Sequence, residues 1–166
     1  MDYLGKLRWI LFRGISSINL DTKGRLAIPS RYREEIQDSC DCQMIVAMAL
    51  DKKYSPEKGC LWLYPLSEWE IVEEQINKMP SMKKKVADLQ RFFVGGATQC
   101  DMDAQGRLLL PDAMRKKIGL ERQITLVGHG KKFELWNESI WTRLENTWLE
   151  GDENDEGLEE LAAIAL

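Results

Sequence analysis

The sequence predicts an α+β protein that contains two copies of one β-rich module with flanking helices. Three observations support this prediction: a long motif occurs twice in register, each copy alternates short apolar runs with turn residues, and each copy ends on an apolar pattern of helical spacing. A chain of 166 residues with 44% apolar and 30% charged residues is typical of a globular protein and long enough for two small domains. No apolar run approaches the roughly 20 residues of a membrane helix, so we predict no membrane partner.

The repeat is clearest around a short motif of aspartate, glycine and arginine. Residues 18–36 align with residues 100–118 at an offset of 82. The positions identical in both copies are Asp21, Gly24, Arg25, Leu26, Pro29, Arg33 and Ile36, which recur as Asp103, Gly106, Arg107, Leu108, Pro111, Arg115 and Ile118. Residues 63–76 then match residues 135–148 at an offset of 72, and we place the extra residues of the first copy in the polar loop 51–59.

Each copy is predicted to begin with a strand, a tight turn and a second strand. The strands are 15–20 and 26–28 in the first copy, and 98–102 and 108–110 in the second. The D-x-x-G between them is a turn signature, in which Asp favours the start and Gly supplies a positive φ. Pro29 and Pro111 end the pairing and suit the first turn of a helix. The inward faces of these helices should carry Tyr32 with Ile36, and Met114 with Ile118.

The second half of each copy is predicted to contain two strands and a helix. The strands are 44–48 and 60–64, then 123–127 and 132–136, and the helices begin near Ser67 and near Asn137 or Ser139. Ser67 and Glu70 form a capping-box pattern. The apolar residues of these helices recur at helical spacing and are Trp69, Val72 and Ile76, then Trp141, Leu144 and Trp148. We interpret the tryptophans as packing in the core or at a subunit interface.

These elements give a domain organisation in five parts. Residues 1–11 are an N-terminal extension, 12–80 the first module, 81–93 a linker helix, 94–149 the second module and 150–166 an acidic tail. The linker is predicted to be helical because Met82, Val86, Leu89 and Phe93 step by four, three and four residues. The lysines 83–85 are interpreted as a solvated helix face, with a phosphate contact as the alternative. The tail is predicted to be disordered, with a short apolar helix over 158–166.

The charge distribution permits a nucleic-acid partner without proving one. The formal net charge is −4, but seven acids lie between residues 150 and 160, which leaves 23 basic against 20 acidic residues over positions 1–149. The cysteines 40, 42, 60 and 100 lack C-x-x-C spacing and the chain has one histidine, so we predict reduced thiols and no metal. No nucleophile elbow or P-loop is present, and we predict neither an enzyme nor a cofactor.

The repeated D-x-x-G-R is the strongest candidate for a binding site. A tight turn can hold an arginine beside an aspartate that orients its guanidinium, which leaves a rigid fork for a phosphate or for the O6/N7 edge of guanine. Lys23 adds a donor in the first copy. A purely structural ion pair within the turn is the alternative, and in a single copy it would be preferred. The repetition of the turn with its strands and helix favours binding.

A start at Phe-Arg-Gly, followed twice by D-x-x-G-R-L, an apolar pair and proline, resembles the MraZ family, whose modules belong to the SpoVT-AbrB superfamily. The resemblance covers roughly residues 12–149. It implies AbrB-like swapped-hairpin β-barrel modules, two per chain, and closure of the chains into octameric or dodecameric rings. Residues 1–10 precede the usual family start, Leu11 stands where an initiating Met is expected, and the acidic tail lies outside the family motif.

The same resemblance implies a cytoplasmic, nucleoid-associated and sequence-specific DNA-binding transcriptional regulator. In that family the protein represses the division and cell wall gene cluster through direct repeats in its promoter. Carried over by position, the residues expected to contact double-stranded DNA are Asp21, Lys23, Arg25, Asp103 and Arg107. The alternative is an AbrB-like antitoxin or another protein-binding module, although such antitoxins usually carry one copy of the module.

Overall fold

The computed structural model describes residues 11–49, 59–151 and 163–164. The N-terminal extension before Leu11, most of the loop 51–59 and most of the acidic tail lie outside these residues. In chain order the elements are β1 (Phe12–Asn19), β2 (Arg25–Ala27), α1 (Ser30–Cys40), β3 (Met44–Met48), β4 (Leu61–Pro65), α2 (Leu66–Asn77), α3 (Lys84–Asp88), a π-helical turn (Leu89–Val94), β5 (Thr98–Gln99), β6 (Arg107–Leu109), α4 (Asp112–Ile118), β7 (Gln123–Gly130), β8 (Lys132–Asn137) and α5 (Glu138–Glu150). The predicted α+β class is confirmed.

The strands form one large and one small antiparallel sheet. The large sheet has the order β1-β7-β8-β4-β3-β5, and β2 pairs with β6 in a two-stranded ribbon. Under the internal repeat, β1 corresponds to β5, β3 to β7 and β4 to β8. The order of corresponding strands in the large sheet is therefore the same when counted from either edge. The first strand of each repeat pairs with a strand of the other repeat, β1 with β7 and β5 with β3. Pairing between repeats therefore builds both sheets.

The large sheet has an apolar core on each face. The main core takes Leu26 and Leu108 from the ribbon, together with residues of α1, α4 and the sheet interior, and these two leucines are completely buried. The predicted inward residues of the two short helices, Tyr32 with Ile36 and Met114 with Ile118, are all buried, which confirms that interpretation. A second, smaller cluster lies on the other face, between the sheet, α2 and the π-helical turn.

The linker differs from the single helix predicted over 81–93. The helix begins at Lys84, and Met82 is 97% exposed, so the first apolar position of the pattern does not belong to a buried face. From Leu89 the linker widens into a π-helical turn, in which the Gly95 N–H donates to the Gln90 carbonyl, five residues back, at 3.0 Å. The apolar spacing showed a helix but could not show this change of pitch.

The capping box predicted at Ser67 and Glu70 is wrong. Helix α2 begins one residue earlier, at Leu66, with Pro65 at the N-cap, so Ser67 lies inside the first turn. Its Oγ is buried and has no hydrogen-bond partner within the part of the chain that the structure describes. Asn137, one of the two predicted starts of the last helix, does cap α5: its Oδ1 accepts hydrogen bonds from the Ser139 N–H at 2.9 Å and the Ile140 N–H at 3.4 Å.

We expect alanine substitutions at the starts of α5 and α2 to have opposite effects on stability. Asn137→Ala removes the cap of α5 and also the hydrogen bond that Nδ2 donates to the Gly119 carbonyl at 2.9 Å, so the free energy of unfolding should fall by about 1–2 kcal/mol. Ser67→Ala removes a buried hydroxyl without a partner and should leave the stability unchanged or raise it. Urea denaturation followed by circular dichroism measures both, and an equal loss in the two variants would contradict the assigned caps.

Candidate nucleic-acid interface

The first D-x-x-G-R turn is held together by its aspartate. The Asp21 Oδ1 accepts hydrogen bonds from the backbone N–H groups of Lys23 at 2.9 Å and Arg25 at 2.8 Å. Its Oδ2 accepts the Nε–H of Arg25 at 2.8 Å. Gly24 closes the turn with a φ of +84°, a conformation that side-chain-bearing residues rarely adopt. The aspartate therefore shapes the backbone and orients the arginine at the same time.

The second turn repeats this arrangement bond for bond. The Asp103 Oδ1 accepts from the N–H groups of Gln105 and Arg107, each at 2.9 Å, and Oδ2 accepts the Nε–H of Arg107 at 3.1 Å. Gln105 takes the place of Lys23, and its Oε1 accepts from Arg107 Nη2 at 3.4 Å. The structural alternative is thus partly correct, because each arginine does pair with the aspartate of its own turn. That pair uses Nε and keeps the end of the guanidinium at the surface.

The ribbon of β2 and β6 brings the two arginines onto one face. In its register Arg25 lies opposite Leu109, and Arg107 lies opposite Ala27. Since neighbouring residues of a strand point to opposite sides, these four residues share the outer face, while Leu26 and Leu108 point into the core. Arg25 and Arg107 are diagonal neighbours, whose separation in such a pair is about 7–8 Å. The sequence could not show this, because the two turns lie 82 positions apart.

Each turn is completed by the other repeat. The Gly24 carbonyl accepts the N–H of Leu110 at 3.0 Å, and the Gly106 carbonyl accepts the N–H of Ile28 at 2.8 Å. An arginine of each repeat also packs against the glycine of the other repeat's turn. A Cβ atom added to Gly24 would lie 2.6 Å from Arg115 Cζ, and one added to Gly106 would overlap the Arg33 side chain. Arg33 and Arg115 occupy the same position in the two copies, but the local sequence does not indicate that they reach the turns. They act here as supports beneath the two turns.

The electrostatics of the turns predict a low titration point for both aspartates. Hydrogen bonding from the backbone N–H of Arg25 is the main cause that lowers the pKa of Asp21, and the N–H of Arg107 lowers the pKa of Asp103 in the same way. A carboxyl with a lowered folded-state pKa contributes stability that is present above its unfolded pKa, about 3.9, and that is lost as the pH falls through the folded value.

We therefore expect the turns to persist at the ordinary pKa of aspartate and to loosen only at lower pH. Carboxyl carbon shifts measured by NMR across an acid titration should give midpoints below about 3.9 for both residues. Arg25→Gln should keep the backbone bond but weaken the side-chain contact, and should move the Asp21 midpoint upward while leaving that of Asp103 in place. A wild-type midpoint at or above the ordinary value would contradict the described hydrogen bonds.

Within the described residues little supports a metal site, a reactive thiol or a membrane-spanning helix. No cluster of three or more His, Cys, Asp or Glu in ranges 11–49, 59–151 and 163–164 could hold a metal ion. Burial raises the pKa of the Cys60 and Cys100 thiols, to about 12 for Cys100, which disfavours a reactive thiolate at neutral pH. Among the helices that the structure describes, none has the length and apolar character needed to cross a membrane.

Fold and site together define a duplicated α+β protein that presents two oriented arginines on one face. The family model described as "MraZ protein, putative antitoxin-like" matches residues 11–92 and again residues 93–158. Proteins named "Transcriptional regulator MraZ" are similar over most of the chain. The one from Methylococcus capsulatus is 43% identical over 159 residues, which covers 93% of this chain and 99% of the relative.

Two further relatives with the same name give the same result. The protein of Thioalkalivibrio sulfidiphilus is 42% identical and covers 93% of this chain and 97% of its own length. That of Nitrosococcus oceani is 41% identical and covers 94% and 100%. The chain belongs to the MraZ family. Its relatives carry the name of transcriptional regulators and not of enzymes, and the predicted resemblance is confirmed.

Proposed function

We propose that the chain is a sequence-specific transcriptional repressor that binds double-stranded DNA through its paired turns. The observation that carries this proposal is the placement of Arg25 and Arg107 on one face of the ribbon, each fixed by the aspartate of its own turn. The five predicted contact residues lie in or beside these two turns. Regulators that bind DNA need oriented donors of this kind, because bases are recognised through hydrogen bonds of fixed direction.

The arginines suit this role because their pairing leaves donors available. Of the Arg25 guanidinium, Asp21 engages only Nε, and within the described part of the chain no acceptor lies against its two Nη nitrogens. In the second turn Arg107 Nη2 donates to Gln105 Oε1 at 3.4 Å, which leaves Nη1 available. Such a fork can make a bidentate contact with guanine or with phosphate. Each aspartate also offsets the charge of its arginine, so the pair supplies direction more than net attraction. Lys23, exposed in the first turn, adds positive charge on that side.

A single pair of turns gives a small contact, and we infer that affinity comes from repetition. The family implies AbrB-like swapped-hairpin barrels formed by modules 12–80 and 94–149, and octameric or dodecameric rings. Several ribbons on one ring could bind the direct repeats of a promoter together, and such linkage raises affinity by roughly 10²–10⁴ without a new contact. The target we propose is the promoter of the division and cell wall gene cluster, bound in the cytoplasm at the nucleoid.

The test is a gel-shift assay on the DNA upstream of the chain's own gene. Arg25→Ala and Arg107→Ala should each weaken binding by about 1–3 kcal/mol, because each variant removes one bidentate arginine fork from the interface. The matched control is Arg143→Ala, which removes an exposed arginine from α5, outside both turns, and should bind as the wild type does. If both turn variants bound the promoter as tightly as this control, the assigned interface would be wrong.

An antitoxin or other protein-binding module remains the second candidate, because the description of the matching family includes the words "antitoxin-like". It predicts a small protein that purifies with the chain in fixed stoichiometry. It also predicts that the wild type, Arg25→Ala and Arg107→Ala all bind the promoter no better than unrelated DNA. The repetition of the whole module and the interlocking of its turns favour the DNA-binding function.

A further inference from the structure

The second repeat leaves an apolar groove open between α5 and the outer face of the large sheet. The groove encloses about 750 Å³. Its apolar lining includes Ile15, Trp136, Trp141, Leu144 and Trp148. Trp148 is 79% exposed, and no residue of α5 is fully buried. A solvent-exposed tryptophan beside a groove of this size indicates a surface that another segment covers.

The first repeat shows what a covered version of this surface looks like. The repeat relates the five groove residues to Ala97, Tyr64, Trp69, Val72 and Ile76. All five counterparts belong to the second apolar cluster of the fold. Ile76, the counterpart of Trp148, is only 8% exposed. Three positions are therefore more exposed in the second repeat, namely Ile15, Trp141 and Trp148, whereas Trp136 is as buried as Tyr64.

The linker is the element that covers the surface in the first repeat. Phe93 packs its ring against Trp69 at 5.2 Å and Trp62 at 5.8 Å between ring centroids. Leu89 and Val94 join the same cluster. The side-chain amide of Gln90 donates to the Ile76 and Met79 carbonyls, each at 3.1 Å, which ties the linker to the end of α2.

The internal repeat also identifies the counterpart of the linker. The offset of 72 that relates α2 to α5 places residues 84–94 onto residues 156–166. Val86, Leu89 and Val94 then fall on Leu158, Leu161 and Leu166. We propose that residues 156–166 dock into this groove of their own chain and close the second repeat as the linker closes the first.

Exposure and chain length are consistent with this assignment. Phe92, on the outward side of the linker, is 65% exposed, and the offset of 72 places Ile164 at the same outward position. Leu158 follows Leu149 at the same distance along the chain at which Val86 follows Asn77, the last residue of α2. The last turn of α5 lines the groove through Trp148 and Leu149, so the segment starts at the rim of the surface it has to reach.

Residues 156–166 differ from the linker residues 84–94 at two positions that should weaken their packing. Gln90 corresponds to Ala162, which has no amide to tie the segment to α5, and Phe93 corresponds to Ala165, which fills less space. Docking of residues 156–166 therefore depends on the leucines. This difference provides a variant that should strengthen the packing, Ala165→Phe, besides the variants that weaken it.

The fluorescence of the groove tryptophans should depend directly on whether residues 156–166 occupy the groove. Trp62, Trp136, Trp141 and Trp148 line it, so removing the cover should move the intrinsic emission to longer wavelength. In the full-length chain we expect Leu161→Asp to shift the emission to the red and to increase binding of an apolar dye. The matched control is Ile164→Asp, at the exposed position, which should leave both signals unchanged. Ala165→Phe should shift the emission to the blue and raise Tm.

A second experiment tests the segment itself. A chain ending at Gly151 should show the red-shifted emission, and a synthetic peptide of residues 152–166 should restore the wild-type spectrum with saturable binding. Equal spectra for Leu161→Asp and Ile164→Asp, or a peptide without effect, would overturn the proposal. So would a red shift of the wild-type emission on dilution that follows the dissociation of oligomers in sedimentation, because the cover would then come from a second copy. None of these measurements requires DNA binding.

Discussion

Replacing Phe133 with alanine is expected to lower the free energy of unfolding by about 3–5 kcal/mol. The Phe133 side chain is completely buried. Its ring stacks on Phe12 at 4.1 Å between centroids and meets the Tyr32 ring edge-on at 5.0 Å. These contacts join β8 of the second repeat to β1 and α1 of the first. The variant thus removes apolar area and leaves a cavity where the two repeats meet, and chemical denaturation followed by circular dichroism measures the destabilisation.

Phe92→Ala is the matched control for this variant. It makes the same chemical change at a residue that is 65% exposed, so the free energy of unfolding should change by no more than about 0.5 kcal/mol. A decrease of less than about 1 kcal/mol at Phe133, or similar decreases at both positions, would contradict the packing described between the repeats.

Removing both turn arginines together is expected to have the largest effect on DNA binding. The double variant Arg25→Ala/Arg107→Ala should bind the promoter at least about 30-fold more weakly than the wild type, since each chain then lacks two arginine forks worth about 1–3 kcal/mol apiece. In the ring proposed above every chain would lack them at once, so the effect should grow with the number of chains bound. Fluorescence anisotropy with labelled promoter DNA, repeated at several salt concentrations, measures both the affinity and its salt dependence.

The double lysine variant separates charge from geometry. Arg25→Lys/Arg107→Lys keeps two positive charges but lacks the planar fork. We expect it to retain most of the salt dependence and to lose most of the preference for promoter over unrelated DNA. Circular dichroism should show both double variants folded, because Asp21 and Asp103 still hold the turns through backbone N–H groups. Wild-type discrimination by the lysine variant would show that the arginines do not read sequence.

The local features of the repeat could be predicted because short-range chemistry determines them. Aspartate and glycine at fixed spacing specify the turn whatever surrounds it, and Gly24 and Gly106 have the positive φ that this spacing predicts. The helices after Pro29 and Pro111 follow from the fixed φ of proline and the missing N–H. The apolar spacing correctly gave their buried faces. These predictions depend on only a few neighbouring residues.

The relation between the two copies could not be predicted, because it depends on contacts between distant residues. Nothing in the local sequence indicates that β1 pairs with β7 rather than with a strand of its own copy. The face shared by Arg25 and Arg107 follows only from the register of β2 with β6. The start of α2 was misplaced because Pro65, not Ser67, occupies its N-cap. Trp148 was expected to pack within the protein or against another chain, and it is exposed in this structure.

The exchange of strands between repeats also has a consequence for synthesis on the ribosome. Phe12 pairs with Gly130, so β1 has no partner strand until more than a hundred further residues have been translated. At about 5–20 residues per second this delay is roughly 6–24 s. During that time both edges of β1 are unpaired, whereas the folded sheet leaves only one open, and an unpaired strand edge is a template for aggregation. A chain released before β6 lacks Arg107 and the strand pairing that places Arg25 on the shared face, so it cannot form the paired-turn surface proposed above.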